Sequence, residues 1–297
     1  MKKWLVSLSL LLLVGCESVL PAQNVNMNAQ ENNVDQASES TSKDMYNTVT
    51  IPKEQVHKGN LVLVNKEYPI HPDAIPADIV YLYENNELTQ GYGLLDNTIQ
   101  LSTNIAQIFG EMIQDADKDG VSHFMISSGY RDESEQEKLY EEKGGEYALP
   151  PGYSEHNIGF ALDIGSTLES ISTAPEGAWL QEHASEYGFI LRYPEDKTDI
   201  TGIMYEPWHF RYVGLPHSKI MDDKNLTLEE YLDFLKEQGN YTATIDGQNY
   251  QISFVPVSDH MTIEVPAQHQ YELSGNNVDG VIVTIHQNEG EDVEVME

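Results

Sequence analysis

Pro151-Gly-Tyr-Ser-Glu-His-Asn-Ile-Gly-Phe-Ala-Leu-Asp163 holds a histidine and an aspartate seven positions apart, His156 and Asp163. A second cluster follows later in the chain, Glu206-Pro-Trp-His209. Two imidazoles and one carboxylate can hold a single metal ion and leave a coordination position open, the mark of a catalytic rather than a closed structural site. Glu206 lies three residues before the second histidine. It is close enough to work on a metal-activated water without being a ligand. A two-histidine, one-carboxylate iron site is the rival reading, but it places its first histidine and acid two apart and needs no such glutamate.

The surrounding sequence predicts the frame that carries this site. Ala161-Leu-Asp-Ile164 alternates as a strand does. Upstream, His123-Phe-Met-Ile126 reads as a strand running into Ser128-Gly-Tyr-Arg131. Asp132-Glu-Ser-Glu135 is a capping-box start for a helix to about residue 143. Strand, tight turn, arginine, helix is an arrangement that aims one side chain into a cleft. Ile105, Ile108, Phe109, Met112, Ile113 and Ala116 have helical spacing, capped by Ser102 or Thr103. A further helix is expected over 175–187, short strands at 189–192 and 209–213, and a helix from Thr227 to about 238. Leu61-Val-Leu-Val64 reads as a short strand or extended chain. Asp115-Ala-Asp-Lys-Asp-Gly120 opens like a calcium loop, but its twelfth position is Ile126 where a glutamate is needed, so it reads as a solvated acidic turn.

Both ends of the chain differ from this middle. Lys2 and Lys3 precede an apolar run, too short to span a bilayer, that ends in Leu13-Val-Gly-Cys16. That ending resembles a lipoprotein lipobox, so residues 1–16 are expected to be an export signal with Cys16 the lipidated residue. As the only cysteine, it leaves no disulfide within the chain. Residues 17–55 are polar and read as a disordered tether. Residues 56–238 are the expected catalytic domain. Residues 239–297 are strand-like, with a hairpin at Asp246-Gly247, and form an all-β extension with an acidic tail. The expected fold class is α+β: a small antiparallel sheet with flanking helices around a metal cleft, plus the β extension. The net charge of −33, from 49 acids against 16 Lys and Arg, excludes nucleic acid as a partner.

Taken in order, Ser128-Gly-Tyr-Arg131, Ser154-x-His156-x-x-Gly159-x-Ala161-x-Asp163 and Glu206-Pro-Trp-His209 resemble the VanY-type D-alanyl-D-alanine carboxypeptidases. That zinc peptidase group also contains vancomycin-resistance dipeptidases and L,D-carboxypeptidases. The likeness runs over about residues 59–238. It implies one zinc ion held by His156, Asp163 and His209, with Glu206 as general base and Arg131 polarising the scissile carbonyl. Gln136 and Ser154 match peptide-contacting positions, and Tyr153, Tyr193 and Trp208 are expected to line the cleft. The function expected is an exported carboxypeptidase that removes C-terminal D-alanine from peptidoglycan stem peptides. It would be monomeric and anchored outside the cell membrane through Cys16. An L,D-carboxypeptidase acting on tetrapeptide stems is the alternative. From another class, a lipid-anchored wall-binding protein with a vestigial metal site would explain the β extension.

Overall fold

The computed structural model describes residues 45–145 and 148–287. The expected export signal with Cys16, the expected tether up to residue 44 and the tail beyond residue 287 lie outside the described residues.

The strands, in chain order, are β1 (Tyr46–Ile51), β2 (Ile79–Tyr81), β3 (Gly93–Leu94), β4 (Gln100–Ser102), β5 (Phe124–Ser128), β6 (Ala161–Ser166), β7 (Phe189–Leu191), β8 (His209–Tyr212), β9 (Asn240–Ile245), β10 (Gln248–Pro256), β11 (Met261–Pro266), β12 (Gln270–Gly275) and β13 (Gly280–Gln287). The helices are α1 (Thr103–Lys118), α2 (Glu133–Lys143), α3 (Pro175–His183), α4 (Thr198–Thr201), α5 (His217–Lys224) and α6 (Leu228–Gln238). A five-stranded sheet, ordered β3-β5-β6-β8-β7, forms the floor of the catalytic region. Its β3–β5 pair is parallel and the other pairs are antiparallel. A four-stranded antiparallel sheet, β12-β13-β10-β9, forms the C-terminal extension. The fold is thus α+β with an all-β extension.

Local sequence explains the principal helices. The hydroxyl of Ser102 accepts from the amide of Ile105 and starts α1. Ile105, Phe109, Met112, Ile113 and Ala116 are then buried along one face. They pack with Phe124, Ile126, Leu162, Ile164, Phe189 and Phe210 in the main core. Each large side chain so buried contributes roughly 1.5–3 kcal/mol. The capping box at Asp132 and Glu135 is formed, as is its counterpart at Thr227 and Glu230.

Three expectations need correction. Residues 61–64 are not a strand, although Leu61, Val62 and Val64 are each 0 % exposed. Side chains take their backbone groups instead: Arg211 donates to the carbonyl of Val62 and Asn277 to that of Leu63. With those partners the segment needs no neighbouring strand. Secondly, Tyr46–Ile51 lies in the stretch read as tether yet forms a strand along β11, in the register Tyr46↔Pro266 to Ile51↔Met261. Its Thr48-Val-Thr-Ile51 run is β-branched, and Ile51 packs with Met261, Val265 and Val281. β11 thus pairs with β1, outside the four-stranded sheet. Finally, the helix expected over 175–187 stops as an α-helix at His183 and closes in a tighter 3-10 turn, Ala184–Tyr187, before Gly188 in the left-handed region.

Candidate active site

Asp163 and His209 are brought together by strand pairing. They stand directly opposite on β6 and β8, in a register that also sets Leu162 against Phe210. On the other side β5 pairs with β6, and an irregularity between Ile126 and Ser128 sets Ser128 against Asp163.

His156 comes from a 3-10 turn, Glu155–Ile158, which Ser154 caps through its hydroxyl. Gly159 ends the turn at φ 72°, a conformation suited to glycine. The turn is fastened to the arginine loop: the amide of Arg131 donates to the carbonyl of His156 at 3.0 Å. Asn157 Nδ2 donates back to the carbonyl of Arg131 at 2.8 Å.

The ligand atoms converge. His156 Nε2 lies 3.3 Å from Asp163 Oδ1, and His209 Nδ1 lies 3.1 Å from the same oxygen. The three residues' donor atoms all fall within 4.8 Å of one another, a spacing one metal ion can satisfy. The remaining ring nitrogens are occupied in ways that fix the tautomers. His156 Nδ1 donates to the carbonyl of Gly129 at 2.7 Å. His209 Nε2 donates to Glu155 Oε2 at 3.3 Å. Each imidazole thus turns one nitrogen to the shared centre and anchors the other, the usual outer support of a metal-ligating histidine.

Charges at the centre follow from burial and close partners. Burial lowers His156, and the Arg131 guanidinium lowers it further, so the ring favours the neutral form that ligates. Burial would also lower His209, but hydrogen bonds to Asp163 and Glu155 outweigh it and push it up to about 9. Burial would raise Asp163, yet the two histidines hold it well below the usual carboxylate range. Glu206 is raised by burial, with His209 opposing. Its Oε2 is 3.8 Å from His209 Nδ1, at the edge of the cluster. The Arg131 guanidinium feels both Asp163 and Glu206. Its Nη1 donates to Ser128 at 3.3 Å, and its buried Nε has no hydrogen-bond partner. Arg131, Glu206 and the three ligand candidates therefore form one cluster able to bind a divalent cation, move a proton and offer a cationic donor.

The other expected residues are placed less uniformly. Gln136 is buried in α2, its Nε2 donating to the carbonyl of Leu149 at 2.6 Å while its Oε1 has no partner. Ser154 serves as the cap already described. Tyr193 is only 5 % exposed, with its ring 4.8 Å from that of His209. It packs behind the ligand instead of lining an open cleft. Trp208 is exposed, and Tyr153 is half-buried.

Sequence reasoning missed a buried charged group behind His209. Glu155 Oε1 accepts from Arg192 Nε and Arg211 Nη1, both at 2.8 Å. Arg192 also pairs with Glu229 at 2.6 and 2.9 Å. One signal was available: two of only 16 cations fall in or beside the apolar strands Phe189-Ile-Leu-Arg192 and Phe210-Arg-Tyr-Val213.

Comparison with known proteins identifies the relatives of this chain. The profile of the VanY family, D-alanyl-D-alanine carboxypeptidase, matches residues 98–215. A D-alanyl-D-alanine carboxypeptidase of Enterococcus faecium is 54% identical over 263 residues, covering 89% of this chain and 86% of that protein. The vancomycin-resistance D,D-dipeptidase VanXYg, solved with a D-Ala-D-Ala phosphinate analogue, superposes with a TM-score of 0.72 at 32% identity. That match covers 82% of this chain and 100% of the other. Residues 59–238 are 180 of 297, about 61%, so this likeness runs beyond the catalytic stretch. The LD-carboxypeptidase LdcB, whose structure addresses peptidoglycan recognition, matches with a TM-score of 0.50 at 34% identity, over 58% of this chain and 84% of the other.

Proposed function

The chain belongs to the VanY family of D-alanyl-D-alanine carboxypeptidases, and on that premise we propose that it is a zinc-dependent enzyme removing the terminal D-alanine of peptidoglycan stem peptides. The observation that carries the reading is the convergence of His156, Asp163 and His209 on one centre, with Glu206 and Arg131 beside it. The donor set fits zinc: two imidazole nitrogens and one carboxylate oxygen are the three protein ligands typical of a catalytic site. Zinc bound there would act as a Lewis acid toward water and the scissile carbonyl.

The chain's own residues do the rest. Glu206 Oε2 takes the proton from the attacking water and returns it to the leaving D-alanine nitrogen. The permanently charged Arg131 would stabilise the negative charge that develops on the carbonyl oxygen. Export and anchoring through Cys16 would put the enzyme beside its substrate.

The similarity to LdcB favours a second reading, cleavage after an L-residue in tetrapeptide stems. One experiment tests both. The protein is incubated with zinc and defined tetra- or pentapeptide stems, and D-alanine release is followed with a chelator control. Faster release from pentapeptide supports the D,D reading, and faster release from tetrapeptide supports the L,D one. Release that survives both Glu206→Gln and zinc removal rejects the mechanism.

A further inference from the structure

Glu155 shares the 3-10 turn with His156 but points the other way, into the interior. It is 1 % exposed, as is Arg192, and Arg211 is fully buried. Burying a carboxylate costs several kcal/mol unless its lone pairs are occupied and its charge is matched. Here both conditions hold. Oε1 accepts from the two arginines at 2.8 Å each, and Oε2 is left for His209 Nε2 at 3.3 Å. Arg192 is also paired with Glu229, so two carboxylates and two guanidiniums balance.

Both arginines are themselves fixed. Arg211 Nη2 donates to the carbonyls of Asn60 and Val62, each at 2.8 Å. Arg192 is held in a two-point pair with Glu229 at the start of α6. Glu155 therefore has little freedom to turn away from His209. An ionised carboxylate only accepts, so Nε2 must carry the proton. In the neutral ring that binds a metal, this leaves Nδ1 as the nitrogen with a lone pair, and Nδ1 is the one facing Asp163.

We infer that Glu155 is a positioning residue: clamped by Arg192 and Arg211, it holds His209 as the Nε2–H tautomer with Nδ1 directed at the metal. The inference rests on the reading of His209 as a zinc ligand. Charge works in the same sense as geometry. Replacing Glu155 by a neutral residue would leave the buried quartet one unit positive behind a site that must take a dication. The clamp thus sets metal affinity and touches no substrate.

The test measures zinc affinity of the full chain by competition with a chromophoric chelator, for wild type, Glu155→Gln and His209→Ala. Outer-sphere partners of this kind change affinity about 10–100-fold. Glu155→Gln, folded by circular dichroism, is expected to lose affinity within that range. Affinity within twofold of wild type would overturn the clamp. His209→Ala separates the two ideas: wild-type affinity in that variant would sink the ligand assignment itself, whereas its loss beside an unaffected Glu155→Gln would sink only the clamp. A second readout uses wild type alone and does not depend on a variant folding. Nitrogen-15 NMR of the zinc-loaded protein should show His209 protonated at Nε2 and ligating through Nδ1. Ligation through Nε2 would overturn the inference.

Discussion

Glu206 is held between opposing influences: burial raises its proton affinity, and His209 and Arg131 draw it back down. Burial wins, so the carboxyl protonates above the ordinary glutamate range, as suits a base that must later return its proton. The proposed mechanism needs the deprotonated form. Lowering the pH through the raised pKa should therefore switch the enzyme off, with the acid limb of kcat/KM lying above about pH 4.3. Glu206→Gln should lower kcat by about 10²–10⁴-fold and abolish that limb. KM and bound zinc, measured on the same preparation, should change little, because Glu206 is read as a base and not as a ligand. A variant that also lost its zinc would make Glu206 part of the metal shell.

Elements position these residues through a few close approaches. At Gly129 a Cβ would fall 2.1 Å from the carbonyl oxygen of Gln100 in β4. No side chain fits there, and the carbonyl of Gly129 is the one that receives His156 Nδ1. Gly129→Ala must therefore push β4 and β5 apart and shift the anchor of a proposed ligand. A cost of about 1–3 kcal/mol is expected from overpacking, read as a lower melting temperature. Zinc affinity should fall with it, whereas an equally destabilising change in α1 should leave affinity alone.

How much of this could be read from sequence depended on the range of each interaction. The α1 face, the capping box at Asp132 and the Asp246-Gly247 hairpin follow from neighbours a few residues apart, and they formed where expected. The convergence of His156, Asp163 and His209 was legible because the motif compresses a long-range contact into a recognisable spacing. By contrast, Arg211 takes carbonyls 149 and 151 residues away, and Glu155 reaches Arg192 across 37. Such pairings leave no local periodicity. Residues 61–64 form no strand for the same reason, since groups distant in sequence, side chains and the carbonyl of Asn276, satisfy their backbone.

At the scale of the whole molecule, the catalytic region and the C-terminal sheet share one core. Leu61, Leu63, Val213, Ile220, Tyr231 and Leu235 pack with Tyr250, Ile252 and Ile282. Ending the chain at residue 238 removes those last three. Each buried apolar side chain of this size is worth about 2–5 kcal/mol when truncated, so the sum rivals a typical total stability of about 5–15 kcal/mol. The shortened chain is expected to lose its cooperative unfolding transition in denaturant. A cooperative transition with unchanged midpoint would show that the catalytic region folds alone.

His217 makes the same seam sensitive to acid. Its Nδ1 pairs with the Tyr231 hydroxyl at 2.8 Å, and its Nε2 with Thr284 of β13 at 3.1 Å. Burial, reinforced by His286, lowers its pKa to about 3. An unfolded histidine titrates near 6.5. Between those values the unfolded chain binds the proton and the folded chain does not, so stability rises with pH through this window. The contribution is complete above about pH 6.5 and is lost as the pH falls toward 3. At about 1.4 kcal/mol per unit, its full extent is several kcal/mol. Other groups titrate over the same range, so the quantity to measure is a difference: urea unfolding of wild type and His217→Gln from pH 4 to pH 8. Glutamine can bond both Tyr231 and Thr284 but takes up no proton. The wild type should lose more stability than the variant on going from pH 7 to pH 4. Parallel curves would mean that protonated His217 is tolerated at the seam, through a rearrangement that gives it solvent.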